Sequence, residues 1–213
     1  SERNKTKILD EAILSGSDHC IILGQPGAGK STSLKKICEL IIKEESNSNY
    51  TFPILLRLRD LGDINSKTPI LDHISKLFPL EFDLQGKNDS NFKLGIQDVK
   101  EETMYSFINF ISPIIILDGF DELKNSNAKS IVLEELQKLS RRLVESKIVL
   151  SCRTGEFNYD LDNSETFEIA PLSIKQIETF VNKWLDNETE AKDFLEKVQN
   201  SPFADTSIKP LSL

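Results

Sequence analysis

The stretch GQPGAGKST, residues 24–32, follows the apolar run CIIL (20–23). It precedes a segment in which Leu34, Ile37, Cys38, Ile41 and Ile42 recur at helical spacing. Three glycines, a proline, a lysine and two hydroxyls therefore stand where a buried strand gives way to an amphipathic helix. Gly24, Gly29, Lys30 and Ser31 meet the spacing G-x-x-x-x-G-K-(S/T), with Gln25, Pro26, Gly27, Ala28 and Thr32 completing the loop. Each type has a physical use. Glycines let backbone N–H groups converge on an anion with no side chain in the way. A helix opening near Lys30 aims its N-terminus at the same point. Lys30 offers a mobile positive charge to outer phosphates, and the Ser31 hydroxyl is a ligand for Mg²⁺. The stretch reads as a phosphate-binding P-loop.

A second element fits the first. IIILDGFDEL (114–123) places Asp118 at the end of a continuous apolar run, with Asp121 and Glu122 just beyond. An uninterrupted apolar strand is expected in a parallel sheet covered on both faces. Three carboxylates at one strand end repel one another unless a cation is near, and nucleotide-bound Mg²⁺ would serve. Asp118 would hold the ion, while Asp121 and Glu122 are candidates to polarise an attacking water. Gly119 permits the sharp exit from the strand. A third element, IVLSCRTGEF (148–157), ends a strand at Arg153, which is placed to meet a terminal phosphate or an acidic neighbour; Ser151 is a weaker candidate.

Strands and helices alternate along the chain. Helical spacing marks Ile8, Leu9, Ala12 and Ile13, residues 31–43, 69–80, 98–111 and 127–146. Strands are expected at 19–23, 52–61, 112–123, 147–153 and 166–170, with an irregular stretch at 81–97. After residue 170 the pattern is wholly helical, opening on a capping box of Ser173 with Gln176. This predicts an α/β fold: a five-stranded, mainly parallel sheet covered by helices over 1–170, then the start of a helical subdomain over 171–213.

The chain's 213 residues carry a net charge of −8, which argues against nucleic-acid binding through a general basic field. No apolar run approaches the roughly 20 residues of a membrane span, and no signal peptide precedes the first strand. A cytoplasmic protein is expected. Cys20, Cys38 and Cys152 form no CxxC pair, so they read as small buried hydrophobes rather than a zinc site.

With the three elements in order, the chain resembles the NACHT family of STAND NTPases, in the additional-strand class of P-loop proteins. The motifs that carry the resemblance are GQPGAGKST, FPILLRLRDL, IIILDGFDEL and VLSCRTGEF, followed by PLSIKQIETFVNKW and IKPLSL. It runs from about Ile8 to Leu213. LDGFDEL, with glycine after the aspartate and two further acids, is its most specific part. Many relatives have proline where Thr154 follows the arginine here.

The resemblance implies an ATP/ADP-binding switch core with Mg²⁺, slow hydrolysis, and Pro210 packing on the base. It also implies homo-oligomerisation on activation by a protein or ligand trigger; no membrane partner is expected, because the sequence has no run long enough to span one. The role it implies lies in innate immunity or anti-phage defence. The family's winged-helix, sensor and effector regions are not in this sequence, so an excised nucleotide-binding core is expected. The Asn-, Lys- and Ile-rich composition suits a bacterial source. Adenine is favoured mainly through the resemblance, since the guanine signature N-K-x-D is met only by NKWLD (182–186), one residue too long. Two other classes share parts of the pattern: an AAA+-like motor and a non-catalytic nucleotide-binding scaffold.

Other residues read as structural. His19 and His73 match no catalytic motif. Trp184, Phe180, Val181, Ile177 and Leu185 share helical spacing and are expected in a core. Arg57 and Arg59 read as strand-end solvation, with a regulatory contact as the rival. Arg141 and Arg142 close a helix and complement its dipole.

Overall fold

The computed structural model describes residues 9–16, 18–43, 45, 49–64, 66–78, 96–185 and 187–200. Pro210 and residues 81–95 of the stretch read as irregular lie outside them. Helix α1 (Leu9–Ser15) leads into strand β1 (His19–Leu23), the glycine loop and α2 (Lys30–Ile42). Then come β2 (Pro53–Arg57), a 3-10 turn (Leu58–Leu61), α3 (Pro69–Leu77), α4 (Ile96–Ile111) and β3 (Ile114–Asp118). A second 3-10 turn (Phe120–Glu122) precedes α5 (Ser126–Arg142), β4 (Lys147–Cys152), β5 (Ser164–Glu168), α6 (Ile174–Trp184) and α7 (Glu188–Gln199).

The five strands run parallel in the order β2-β3-β4-β1-β5. The expected sheet is therefore present, and β4 lies between the P-loop strand and the acidic strand. Alternate side chains serve opposite faces. Ile115, Leu117, Ile148 and Leu150 pack beneath α3, α4 and α5. Ile114, Ile116 and Val149 pack with Leu34, Ile37 and Ile41 of α2 and Ile13 of α1. That two-sided demand is why the β3 sequence is apolar without alternation. Ile177, Val181 and Ala191 form a separate small cluster.

Several boundaries move. The pattern FPILLRLRDL reads as one strand, yet β2 ends at Arg57, where the chain tightens into the 3-10 turn that closes at Gly62 with φ 68°. The third strand likewise stops at Asp118. The fifth runs two residues earlier than TFEIA; it is an edge strand with mostly exposed side chains, so hydropathy marks it poorly. Helix α4 begins at Ile96, inside the stretch read as irregular.

The expected core placement of Trp184 and Phe180 is wrong: they are 64% and 40% exposed. Helix α6 packs chiefly on α7, which covers Ile177 and Val181 and leaves the two rings beside each other at 6.1 Å. Its capping box is present as predicted. Cys20 and Cys152 are buried, but Cys38 is only half-buried; all three are free thiols.

Buried polar groups act as backbone ties. His19 accepts from the Ile148 N–H at Nδ1 and faces the Ser140 carbonyl with Nε2, each at 3.1 Å, which fits the neutral Nε2–H tautomer. Burial lowers its pKa. Lys147, fully buried, donates to the Ile13 and Gly16 carbonyls and closes the end of α1. Arg142 is more than a dipole complement: it pairs with both oxygens of Glu102 and lies 3.9 Å over the Tyr105 ring, joining α5 to α4.

Glu135 of α5 is fully buried and accepts the Ile70 and Leu71 N–H groups, each at 2.8 Å, at the start of α3. Burial pushes its carboxyl up to about 8; the two N–H donors act in the opposite sense, and Asp72 and Glu101 add to the rise. A raised carboxyl binds its proton more tightly in the folded chain, so stability falls as pH rises from about 4.5 toward about 8. Melting temperature should decline over that window, and the decline should flatten in Glu135→Gln. Glu135→Ala strands two buried donors and should cost roughly 3 kcal/mol in urea unfolding.

Candidate nucleotide site

The glycine loop is stitched to the end of β4. Gly24 N–H donates to the Cys152 carbonyl at 3.3 Å, and the Thr154 N–H donates to the Gly24 carbonyl at 3.4 Å. A proline at position 154 could not make the second bond. A Cβ on Gly24 would lie 3.4 Å from the Ala28 Cβ and the Lys30 Cγ. Gly29, at φ 92° and ψ 14°, is left-handed and sits at the N-cap of α2, where no side chain caps the helix. By contrast Asn125 caps α5 and Ser173 caps α6 through their side chains. The first N–H groups of a helix have no partner within it, so the uncapped start of α2 presents donors suited to an anion. The Lys30 ammonium lies over the same loop, donating to the Gly24 carbonyl at 2.7 Å and the Gln25 carbonyl at 3.3 Å. Gln25, Pro26, Ser31 and Thr32 are exposed around it, with Gly27 at φ 78° and Ala28 half-buried.

At the end of β3, Ser151 donates to Asp118 Oδ1 at 2.6 Å and accepts the Gly119 N–H at 2.9 Å. Ser151 is thus the residue of β4 that touches the acidic strand end most directly. Its signal is position: it stands one residue before the strand's end, on the strand lying beside β3. Beyond it the two remaining acids part company. Asp121 is 7% exposed and holds Arg153 twice, accepting the backbone N–H on Oδ1 at 3.0 Å and pairing Oδ2 with Nε at 2.8 Å. Glu122 is 41% exposed, and its nearest cation is Arg59, at 3.5 Å.

A cleft of about 140 Å³ gathers Ser31, Lys35, Leu55, Arg57, Arg59, Asp118 and Glu122. It brings the P-loop hydroxyl, two of the predicted acids and both β2-end arginines together, and of the two arginines Arg59 has an ion pair across it, to Glu122. Arg153 and Asp121 stand beside this group rather than among its lining residues. Phe120 sets the turn: its ring is fully buried and meets Phe157 at 5.2 Å and Tyr159 at 6.2 Å, which ties the acidic turn to the segment after Arg153. Among the described residues no group of three or more His, Cys, Asp or Glu could hold a metal unaided. A serine hydroxyl with one carboxylate suits Mg²⁺ that arrives on phosphates and keeps water ligands.

A glycine loop on β1, an uncapped helix behind it, an acid on β3 and a strand between the two define a P-loop NTPase with the additional strand. The NACHT domain family matches residues 18–188, and the chain belongs to that family. No curated protein matches the sequence.

Two solved structures share the fold at low identity, and a third is similar over part of its length. The Drosophila ORC bound to DNA aligns with a TM-score of 0.55 and 14% identity, over 95% of this chain and 49% of its own. The Walker-type ATPase PABY2304 of Pyrococcus abyssi gives 0.52 and 14%, over 89% and 60%. A STAND protein with a tetratricopeptide repeat sensor from Pyrococcus horikoshii gives 0.48 and 14%, over 89% and 26%. The chain thus spans between 26 and 60% of the length of these three proteins. Among the described residues no helix is long and apolar enough to cross a membrane.

Proposed function

We propose that this chain is the adenine-nucleotide-binding core of a NACHT-type switch that hydrolyses Mg·ATP slowly. The observation that carries the proposal is the meeting of Ser31, Asp118 and Glu122 in one cleft beside the uncapped start of α2. Backbone N–H groups at the start of α2, from Gly29 to Ser31, cradle the phosphates, while Ala28 N–H stays on the Gln25 carbonyl; Lys30 leaves its own loop carbonyls to pair with the outer phosphates. Ser31 and Asp118 would hold Mg²⁺, which offsets phosphate charge when bound. Glu122 accepts the proton of the attacking water, because both Asp121 oxygens are committed to Arg153. Arg153, held by Asp121, reads the terminal phosphate. Pro210 contacts the base by resemblance. In the full-length protein, exchange of ADP for ATP would govern homo-oligomerisation and effector activation, in innate immunity or anti-phage defence.

Nucleotide-dependent melting and phosphate release test this. Mg·ATP and Mg·ADP should raise the melting temperature, Mg·GTP at the same concentration should raise it far less, and phosphate release from ATP should be slow. A folded chain whose melting temperature no nucleotide moves would overturn the proposal. Fast continuous turnover in stable rings would favour the motor reading instead.

A further inference from the structure

We propose that Arg59 and Gly119 together seat the Glu122 carboxylate, making Arg59 a positioning residue for hydrolysis and giving the glycine of LDGFDEL a second purpose. The inference rests on the hydrolytic reading above. The Glu122 side chain folds back over the bare Cα of Gly119: a Cβ there would lie 3.0 Å from Glu122 Cδ and 3.1 Å from Cγ and Oε2. Gly119 is left-handed, at φ 84°, so the backbone alone disfavours a side chain. The carboxylate imposes a separate demand, because a Cβ at 119 would crowd Glu122 and shift its carboxylate by a few tenths of an ångström from this position.

The other side of the seat is Arg59. Its Nη1 stands 3.5 Å from Glu122 Oε2. The 3-10 turn that carries it is pinned by Leu58, 1% exposed in the main core. Both residues line the cleft with Ser31 and Asp118, so the seat opens where the outer phosphate would lie.

The chemistry requires direction more than strength. In hydrolysis the water oxygen bonds to the γ-phosphorus as the bond to the β–γ bridging oxygen breaks. One water proton passes to Glu122, and ADP and inorganic phosphate leave. A carboxylate on a free side chain samples many positions; one held between Gly119 and Arg59 faces the cleft. An ion pair this exposed adds little to stability. Arg59 can therefore be changed without unfolding the chain, and a loss of turnover is not a loss of fold.

The test compares Arg59→Gln, Arg59→Lys and Glu122→Gln, singly and with Arg59→Gln and Glu122→Gln combined. It measures Mg·ATP and Mg·ADP affinity by calorimetry and kcat and KM by phosphate release. Arg59→Gln should lower kcat about tenfold, with both affinities and the melting temperature unchanged. Arg59→Lys should recover part of the loss. In the Glu122→Gln background the Arg59 change should cost nothing further, because Arg59 acts through Glu122.

An undiminished kcat in Arg59→Gln would overturn the inference while leaving the hydrolytic reading intact. So would a loss of ATP affinity at constant kcat, which would make Arg59 a phosphate contact. Wild-type chain that binds ATP without turning it over would remove the hydrolytic reading and this inference together.

Discussion

Glu122→Gln should lower the turnover of Mg·ATP by about 10²–10⁴-fold, the range of a lost general base, and leave nucleotide affinity within about twofold. The substitution keeps shape and one oxygen but removes the proton acceptor. The contrast with Asp121→Asn makes the prediction sharp. Asp121 is nearly buried and holds both the backbone and the guanidinium of Arg153. Its amide loses the charge that Arg153 Nε pairs with, so the arginine should be released and the proposed contact that tells ATP from ADP should be disturbed. Glu122→Gln should therefore spoil kcat alone, and Asp121→Asn should also spoil the distinction between the two nucleotides. Phosphate release and calorimetry on the same preparations separate the two. Equal effects from both variants would contradict the division of labour read from the geometry.

Lys30→Ala should weaken Mg·ATP binding by about 100-fold, roughly 3 kcal/mol, the scale of a charged hydrogen bond to phosphate. The fold should survive. Lys30 donates to the Gly24 and Gln25 carbonyls, but Gly24 keeps its bond from the Thr154 N–H and its own N–H stays on Cys152. The melting temperature without nucleotide should move by no more than a few degrees, while the shift produced by Mg·ATP largely disappears. A variant that binds ATP as tightly as wild type would mean that the loop binds phosphate through backbone alone.

The sheet was legible because its demands are local. A P-loop needs a strand before it and a helix after it, and an apolar run ending in LDGFDEL suits only a strand covered on both faces. The features that sequence reading missed depend on distant partners. Glu135 lies in an amphipathic helix beside Glu134 and looks like an ordinary surface acid; only the packing of α3 against α5 puts two N–H groups before it. The end of β2 is invisible because LRLRDL keeps its two-residue alternation while the backbone changes from strand to 3-10 turn. For the same reason Arg59 looked like a solvated strand residue although it meets Glu122 across 63 positions of sequence. Hydropathy marks Trp184 and Phe180 as apolar but does not say how many helices will cover them.

The middle strand of the sheet behaves as a fixed rail. All six β4 side chains are buried, its neighbours pair with it residue by residue, and its first residue, Lys147, is locked to the end of α1. A slip of one position would turn every one of those side chains to the wrong face. If Arg153 answers to the outer phosphate, the strand cannot travel with it. The chain beyond it is held as well: Phe157 and Leu161 are buried in the main core, Phe157 grips Phe120, and the Asn163 carbonyl accepts the His19 N–H. An arginine standing at the end of such a rail has only its own side chain to answer with, turning from Asp121 while the backbone keeps its place.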